Sequence, residues 1–269
     1  MPQQQATPPN TGPSSGGPSS GGSSSGASTQ FERVLLRLRG MIMEGGFAPH
    51  AKLLEVELAK QLDVSRTPVR LALQALAQEG LLTYAPQRGF TVRGFSVNEI
   101  ITAVDIRGRL EAMACEMAAQ SGLNDEAVAL LERNLADTAA LLRKPSYSEA
   151  DVEAWSALNG DFHDAFLTAA NSPLLTALVQ QTGTVPLSSP RIIVATPSNI
   201  DDIMAYVRDA LKMHEIVFDA VRQRDAARAR RMMEEHIYQG RVRLQDVLQN
   251  LGKQREMVYS RGFRLIDTV

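Results

Sequence analysis

The spacing of apolar positions between Leu53 and Val92 changes period within a short stretch. From Glu55 to Leu62, the residues Leu58, Ala59 and Leu62 share one face, which predicts a short helix. Asp63-Val64 reads as a tight turn, and Ser65 as the N-cap of a second helix. Pro68 falls in the first turn of that helix, where a missing N–H does no harm. Val69, Leu73 and Leu76 stand at i, i+4 and i+7 and supply its buried stripe, and Glu79-Gly80 stops it. The period then drops to two. Leu82 and Tyr84 on one arm, with Phe90 and Val92 on the other, predict a hairpin with Arg88-Gly89 at its tip. Upstream, Val34, Leu35, Leu38 and Ile42 make Phe31 to Glu44 a further helix, closed by Gly45-Gly46. Helix, turn, helix and hairpin in this order form a winged helix-turn-helix, expected over residues 30–95.

After Gly94-Phe95-Ser96 the pattern is helical throughout. Helices are expected at Val97 to Ser121, Asp125 to Arg143, Glu149 to Ala170, Pro173 to Thr182, Ile200 to Arg222 and Asp225 to Gln249. The fold class is therefore mostly α: the winged helix-turn-helix followed, over residues 96–250, by an antiparallel all-helical bundle around a central cavity. The connection from Gly183 to Asn199 holds three prolines and is long for such a bundle, so it is a candidate lid. Residues 251–269 form a C-terminal extension. Residues 1–29 hold Pro, Gly, Ser, Gln and Thr without a charge, and are expected to be a disordered tail.

Composition narrows the class. An apolar content of 44% is enough for a sizeable core, and the single cysteine, Cys115, rules out an intrachain disulfide framework. No apolar run reaches the roughly 20 residues that span a bilayer, and no secretory signal opens the chain, so the expected location is the cytoplasm. The net charge is −2, yet residues 30–95 hold nine Lys and Arg against six Asp and Glu. One small basic unit beside a larger acidic one suits a protein that meets phosphate at one end only.

The chemistry of the basic unit points to double-stranded DNA. Arg66, Arg70 and Gln74 recur every four residues, and arginine bonds guanine O6 and N7 bidentately in the major groove. Ser65, Thr67 and the free amides of the first turn suit phosphate or a thymine methyl. Arg88 and Gly89 place a cation on a bend that fits the minor groove or phosphate. The plainer alternative is an ordinary helical hairpin with a solvated basic face. Against it stand cap, turn, helix and wing, all in sequence.

Three of the four histidines fall on core-facing positions of three separate predicted helices: His163, His214 and His236. Asn159 precedes His163 by one turn, so both aim at one spot. Neutral imidazoles and one oxygen converging in this way would hold a divalent metal with open positions. Spacing alone favours structural histidines, because the helices are far apart in sequence. Arg107 has two readings as well: partner of Glu111 at i+4, or clamp for a carboxylate. Met113, Met117, Trp155, Phe162 and Phe166 would line an apolar pocket or simply fill the core. Asp161 is expected to be solvated.

The residues Leu54-Glu55, Leu58-Ala59, Val64-Ser65-Arg66-Thr67-Pro68-Val69-Arg70, Glu79-Gly80-Leu81 and Arg88-Gly89-Phe90 resemble the GntR family of bacterial regulators. Two positions depart from the family pattern: His50 stands where glycine usually follows Pro49, and Leu71 where glutamate usually follows the second arginine. The stretch from Val97 to about Leu248 resembles the effector-binding domain of the FadR branch. That likeness rests on Arg107, Leu110-Glu111, Asn159, Phe162-His163, Asn171-Ser172-Pro173-Leu174, His214, Asp225 and His236. The resemblance implies a metal (zinc, nickel or manganese) held by Asn159, His163, His214 and His236, and a carboxylate effector near Arg107. Asparagine in place of the branch's common aspartate supplies an oxygen without charge, which weakens metal affinity. The runs Val69-Arg70-Leu71-Ala72-Leu73 and Arg107-Gly108 through Glu111 are most similar to vanillate-responsive repressors, which implies a small aromatic or other organic acid. The expected protein is a homodimeric, non-enzymatic repressor on a palindromic operator. Two alternatives stay open: a metal-dependent enzyme fused to a DNA-binding domain, and a DNA-binding dimer with a degenerate sensor.

Overall fold

The computed structural model describes residues 24–192, 200–250 and 263–267. Of the segments expected to be tail, lid and C-terminal extension, residues 1–23, 193–199, 251–262 and 268–269 lie outside the described residues. The first helix, α1 (Ser24–Met43), starts seven residues before the expected Phe31, inside the stretch read as a disordered tail. The reason is cooperative: the buried turns around Val34, Leu38 and Ile42 carry the cost of nucleation, and small residues without a proline then propagate the helix backwards.

Next come β1 (Lys52–Leu53), α2 (Glu55–Leu62), α3 (Arg66–Gln78), β2 (Leu82–Ala85) and β3 (Gly89–Val92). The three strands run in the order β1-β3-β2, all antiparallel, with Leu82 opposite Val92 and Tyr84 opposite Phe90. Asp63 takes a left-handed conformation (φ 53°) and ends α2, so α3 can leave at an angle. Leu58, Ala59, Leu62, Val69, Leu73 and Leu76 are buried, as the periodicity requires. Ser65 holds the N-cap position of α3 in extended backbone, but its hydroxyl makes no capping hydrogen bond.

The helical half contains α4 (Val97–Ser121), α5 (Asp125–Leu141), α6 (Glu149–Ala169), α7 (Pro173–Thr182), α8 (Ile200–Arg222) and α9 (Ala226–Asn250). Side-chain caps start three of these at Ser96, Asn124 and Ser172, and Ser148 with Asp151 forms a capping box on α6. Among the described residues no helix is long and apolar enough to cross a membrane.

One hydrophobic cluster joins the two halves: Leu38, Leu81 and Phe90 of the winged helix pack with Ile100 and Ile101 of α4, Leu187 of the loop after α7, and Leu248 of α9. The C-terminus enters the same cluster. A 3-10 turn, Phe263–Leu265, buries Leu265 there, and the following backbone pairs with the linker. The amide of Phe95 donates to the Leu265 carbonyl at 2.9 Å, and that of Asp267 to the Phe95 carbonyl at 2.9 Å. His50 sits at φ 65°, which explains why a glycine suits this position. Its Nε2–H donates to Asp267 Oδ1 at 3.0 Å.

Candidate functional site

The exposed side of α3 follows from its buried stripe. With Pro68, Val69, Ala72, Leu73 and Leu76 turned inward, Arg66, Thr67, Arg70 and Gln74 are left facing solvent, and Ser65 is exposed just ahead of them. The arginine side chains are 68% and 64% exposed, yet they are not adrift: Glu55 at the start of α2 lies 3.6 Å from Arg66 and 4.0 Å from Arg70. Leu71, the departure noted in the sequence, is 49% exposed on the same surface, where it adds an apolar contact and no charge. The wing tip carries Arg88, exposed, between Gln87 (φ 66°) and Gly89 (φ 77°).

The sequence marked Glu55 only as part of the family pattern; its place beside the two arginines depends on how α2 is set against α3. It lies within ion-pair distance of both guanidinium groups and sets a negative charge beside them. Glu55→Gln is expected to change affinity for a preferred duplex by under about 1 kcal/mol, because exposed ion pairs contribute little. It should raise affinity for an unrelated duplex and so lower the specificity ratio. Titration of both duplexes at one salt concentration measures this; an unchanged ratio would remove Glu55 as a determinant.

The second site lies inside the bundle. Three helices bring the three histidines together, and all three are buried. His214 Nε2 is 3.1 Å from His236 Nε2, which is 3.3 Å from His163 Nε2. His214 is fixed by stacking on Phe162, ring centroids 3.7 Å apart, with Trp155 at 5.6 Å. Phe166 packs edge-on to Phe162, and Met113 is exposed, so the five residues weighed as pocket lining are core or surface instead.

His163 Nδ1 is 2.6 Å from Glu111 Oε2. Glu111 also lies 3.4 Å from Arg107 Nε. Burial pushes the Glu111 carboxyl up, but His163 and Arg107 beside it more than offset this, and the net shift is downward, to the ionised form. Sequence spacing offered Arg107 as a partner of Glu111; the contact with His163 crosses from α4 to α6 and has no signal in spacing. Burial, together with the neighbouring histidines, drives His214 well below the usual imidazole range. His236 shifts the same way, through burial and then His163 and Arg107. Both are neutral at pH 7.

These residues fit a metal ion. His163 Nδ1–H donates to Glu111, which leaves Nε2 as the nitrogen turned toward the cluster, in a carboxylate–histidine arrangement. His236 Nε2 faces two nitrogens and, as a neutral imidazole, has at most one proton to offer them. A cation would satisfy all three nitrogens. Zn–N bonds of about 2.0–2.1 Å put neighbouring ligand nitrogens roughly 3.3 Å apart, close to the separations seen. Asn159 Oδ1 is buried without a partner, while its Nδ2 donates to the Pro190 carbonyl at 2.8 Å. Asn159 could therefore add an oxygen. His214 Nδ1 is buried and unpartnered, so this ring has no outer acceptor.

A cavity of about 90 Å³ adjoins the cluster, lined by Arg107, Asn159, His163 and His236 together with Leu187 and Pro190 of the loop after α7. Arg241 and Arg243 of α9 also line it, so three arginines border one small space. Asp161 is not simply solvated; it pairs with Arg191 of the same loop at 2.8 Å.

Residues 30–92 match the family described as bacterial regulatory proteins, gntR family, and residues 102–239 match the FCD domain. The chain is 24% identical over 213 residues to the uncharacterized HTH-type transcriptional regulator YdhC of Bacillus subtilis, covering 79% of this chain and 90% of that protein. It is 28% identical over 201 residues to the HTH-type transcriptional repressor GlaR of Escherichia coli, covering 74% of this chain and 89% of that protein. The solved structure of E. coli McbR/YncC is similar with a TM-score of 0.58 at 24% identity, over 81% of this chain and 98% of that one, and so shares the fold. The chain belongs to the GntR family of bacterial transcriptional regulators, with an FCD domain following its winged helix-turn-helix.

Proposed function

We propose that this protein is a homodimeric repressor that leaves a palindromic operator when a small carboxylate enters the cavity. The observation that carries the reading is the pairing of a cationic, histidine-lined cavity with an exposed basic helix, the two joined by a single hydrophobic cluster. In this reading residues 30–95 bind DNA and residues 96–250 sense and dimerise, with residues 1–29 and 251–269 as appended segments. Ser65, Arg66, Thr67, Arg70 and Gln74 meet the major groove, and Arg88 and Gly89 the minor groove or phosphate. Asn159, His163, His214 and His236 hold a divalent metal, and Arg107 clamps the carboxylate. Dimerisation is supported by the apolar residues left uncovered on α4 and α7: Met113, Leu178 and Leu174, the last 72% exposed. A regulator of this kind works in the cytoplasm. Glu111, already shared between Arg107 and His163, orients those groups and is not free to serve as a general base, which weighs against a metal-dependent enzyme.

The test is a thermal-shift screen of small carboxylates with and without chelator, since a ligand raises stability by mass action. Hits are then titrated against a bound duplex that the protein has selected from a random library. Wild type should lose about 5–150-fold in duplex affinity, the usual range of coupling between sites. Arg107→Lys, which keeps a charge beside Glu111 but loses the fork, should bind duplex normally and release it poorly. Release of duplex by Arg107→Lys at the wild-type ligand concentration would make Arg107 a structural partner of Glu111 only.

A further inference from the structure

Residues 187–192 are held by more polar contacts than a connection between helices needs. Arg191 lies along α6, its Nη2 donating to Asp161 Oδ1 at 2.8 Å and Asp164 Oδ2 at 2.6 Å, and its Nη1 to the Ala157 carbonyl at 3.4 Å. The side chain fits there because position 160 is glycine: a Cβ at Gly160 would stand 2.2 Å from Arg191 Cγ. The Ser156 hydroxyl donates to the Arg191 carbonyl, and Asn159 Nδ2 to the Pro190 carbonyl. Arg107 Nη1 donates to the Ser188 carbonyl, deep in the fold, where Ser188 is fully buried. Just before it, Leu187 adopts φ 63°, a conformation that a leucine takes only when its surroundings force it. The Leu187 side chain is buried in the cluster that contains Leu38, Leu81 and Phe90 of the winged helix.

We propose that residues 187–192 form a displaceable strap: the Ser188 carbonyl holds Arg107 in place of an effector carboxylate, and Leu187 passes the strap's displacement to the winged helix. This rests on the sensor reading given above. A neutral carbonyl accepts one hydrogen bond from the guanidinium, whereas a carboxylate accepts two in parallel and carries the opposite charge. The carboxylate therefore takes Arg107 when it is present, and the carbonyl holds it when it is not.

Volume argues the same way. The cavity of about 90 Å³ has room for a few waters but lies well below the roughly 300 Å³ at the small end of ligand pockets. Arg107, Glu111 and residues 189–191 also border a second, wider hollow of about 1070 Å³, but an aromatic acid fits between Arg107 and the histidines only by displacing the strap. Its movement takes Leu187 out of the cluster that also holds Leu38, Leu81 and Phe90, so the two states differ where the winged helix joins the bundle. That difference is what coupling between the sites requires. The Arg191 latch is suited to reversible opening, because its side chain and both aspartates are about half exposed and the ion pairs are screened by water.

The experiment uses the full chain and a duplex selected by wild type from a random library, with no effector added. Arg191→Ala, the pair Asp161→Asn with Asp164→Asn, and the conservative Arg191→Lys are compared by amide hydrogen exchange and duplex titration, with helix content checked by circular dichroism. The first two variants should exchange faster at residues 187–192 and bind the duplex at least fivefold more weakly, and Arg191→Lys should recover part of both. Faster exchange with wild-type duplex affinity would make the strap a cover without a relay, and unchanged exchange would show that Arg191 does not hold it. Either result overturns the proposal. A wild type that selects no duplex would overturn the sensor reading itself, which is apparent before any variant is made.

Discussion

Replacing Arg66 or Arg70 with alanine is expected to weaken binding to a selected duplex by about 1–3 kcal/mol each, the value of a bidentate arginine–guanine contact. The argument starts from burial. Leu73 and Leu76 are wholly inside, so the helix cannot rotate to present another face, and the two arginines with Thr67 and Gln74 are what it offers to a groove. Glu55 competes for both guanidinium groups, but at 3.6 and 4.0 Å, on a solvated surface, it contributes no more than about 1 kcal/mol. A base contact is worth more, so the arginines turn from Glu55 to guanine when DNA is present. Because the two share Glu55, the double variant should fall short of the sum of the singles. Each single variant should also relax preference at one base position, read by titrating duplexes with single substitutions. Arg88→Ala in the wing should weaken binding evenly across those duplexes, as loss of a phosphate contact does. Neither arginine touches the core, so the melting temperature serves as a control. Wild-type affinity in both Arg66→Ala and Arg70→Ala would remove α3 as the reading helix.

What the sequence revealed and what it hid divide along physical lines. Local periodicity and caps are written in neighbouring residues, and the helices α2, α4, α7 and α8 begin and end where Leu58-Ala59-Leu62, Ser96, Pro173 and Arg222 said they would. The strand β1 was not legible, since two residues, Lys52 and Leu53, have no period and exist as a strand only because Thr91 and Phe90 pair with them. Nor was the contact of Glu111 with His163, or that of Asp161 with Arg191: ion pairs between elements depend on how helices are set against each other. The convergence of His163, His214 and His236 is intermediate. Their helical phase was visible, their distances were not, and the family resemblance supplied the link that spacing lacked. His50 shows the reverse case, a departure noted in sequence that makes sense only with its φ of 65° and its bond to Asp267 in view.

Chelation should lower the melting temperature of metal-loaded protein, and His236→Ala should abolish the difference. The size follows from mass action. A ligand that binds only the folded state stabilises it by about 2.7 kcal/mol at a free concentration one hundred times its dissociation constant, and about 4.1 kcal/mol at one thousand times. Each kcal/mol moves the midpoint by roughly 2–4 °C in a chain of this class, so loss of the ion should cost roughly 5–15 °C. The comparison separates the two readings of the histidines. If they are structural, chelator does nothing to wild type and His236→Ala loses only packing. If they ligate, apo wild type and His236→Ala should melt close together, and loaded wild type well above both. Asn159→Asp adds the missing negative charge and should tighten binding, while Glu111→Gln removes the acceptor behind His163 and should loosen it by about 10–100-fold. The protein is loaded separately with zinc, nickel and manganese and assayed by elemental analysis, with close to one ion per chain expected for at least one of them. No bound ion with any of the three, together with a midpoint indifferent to chelator, would return His163, His214 and His236 to the core.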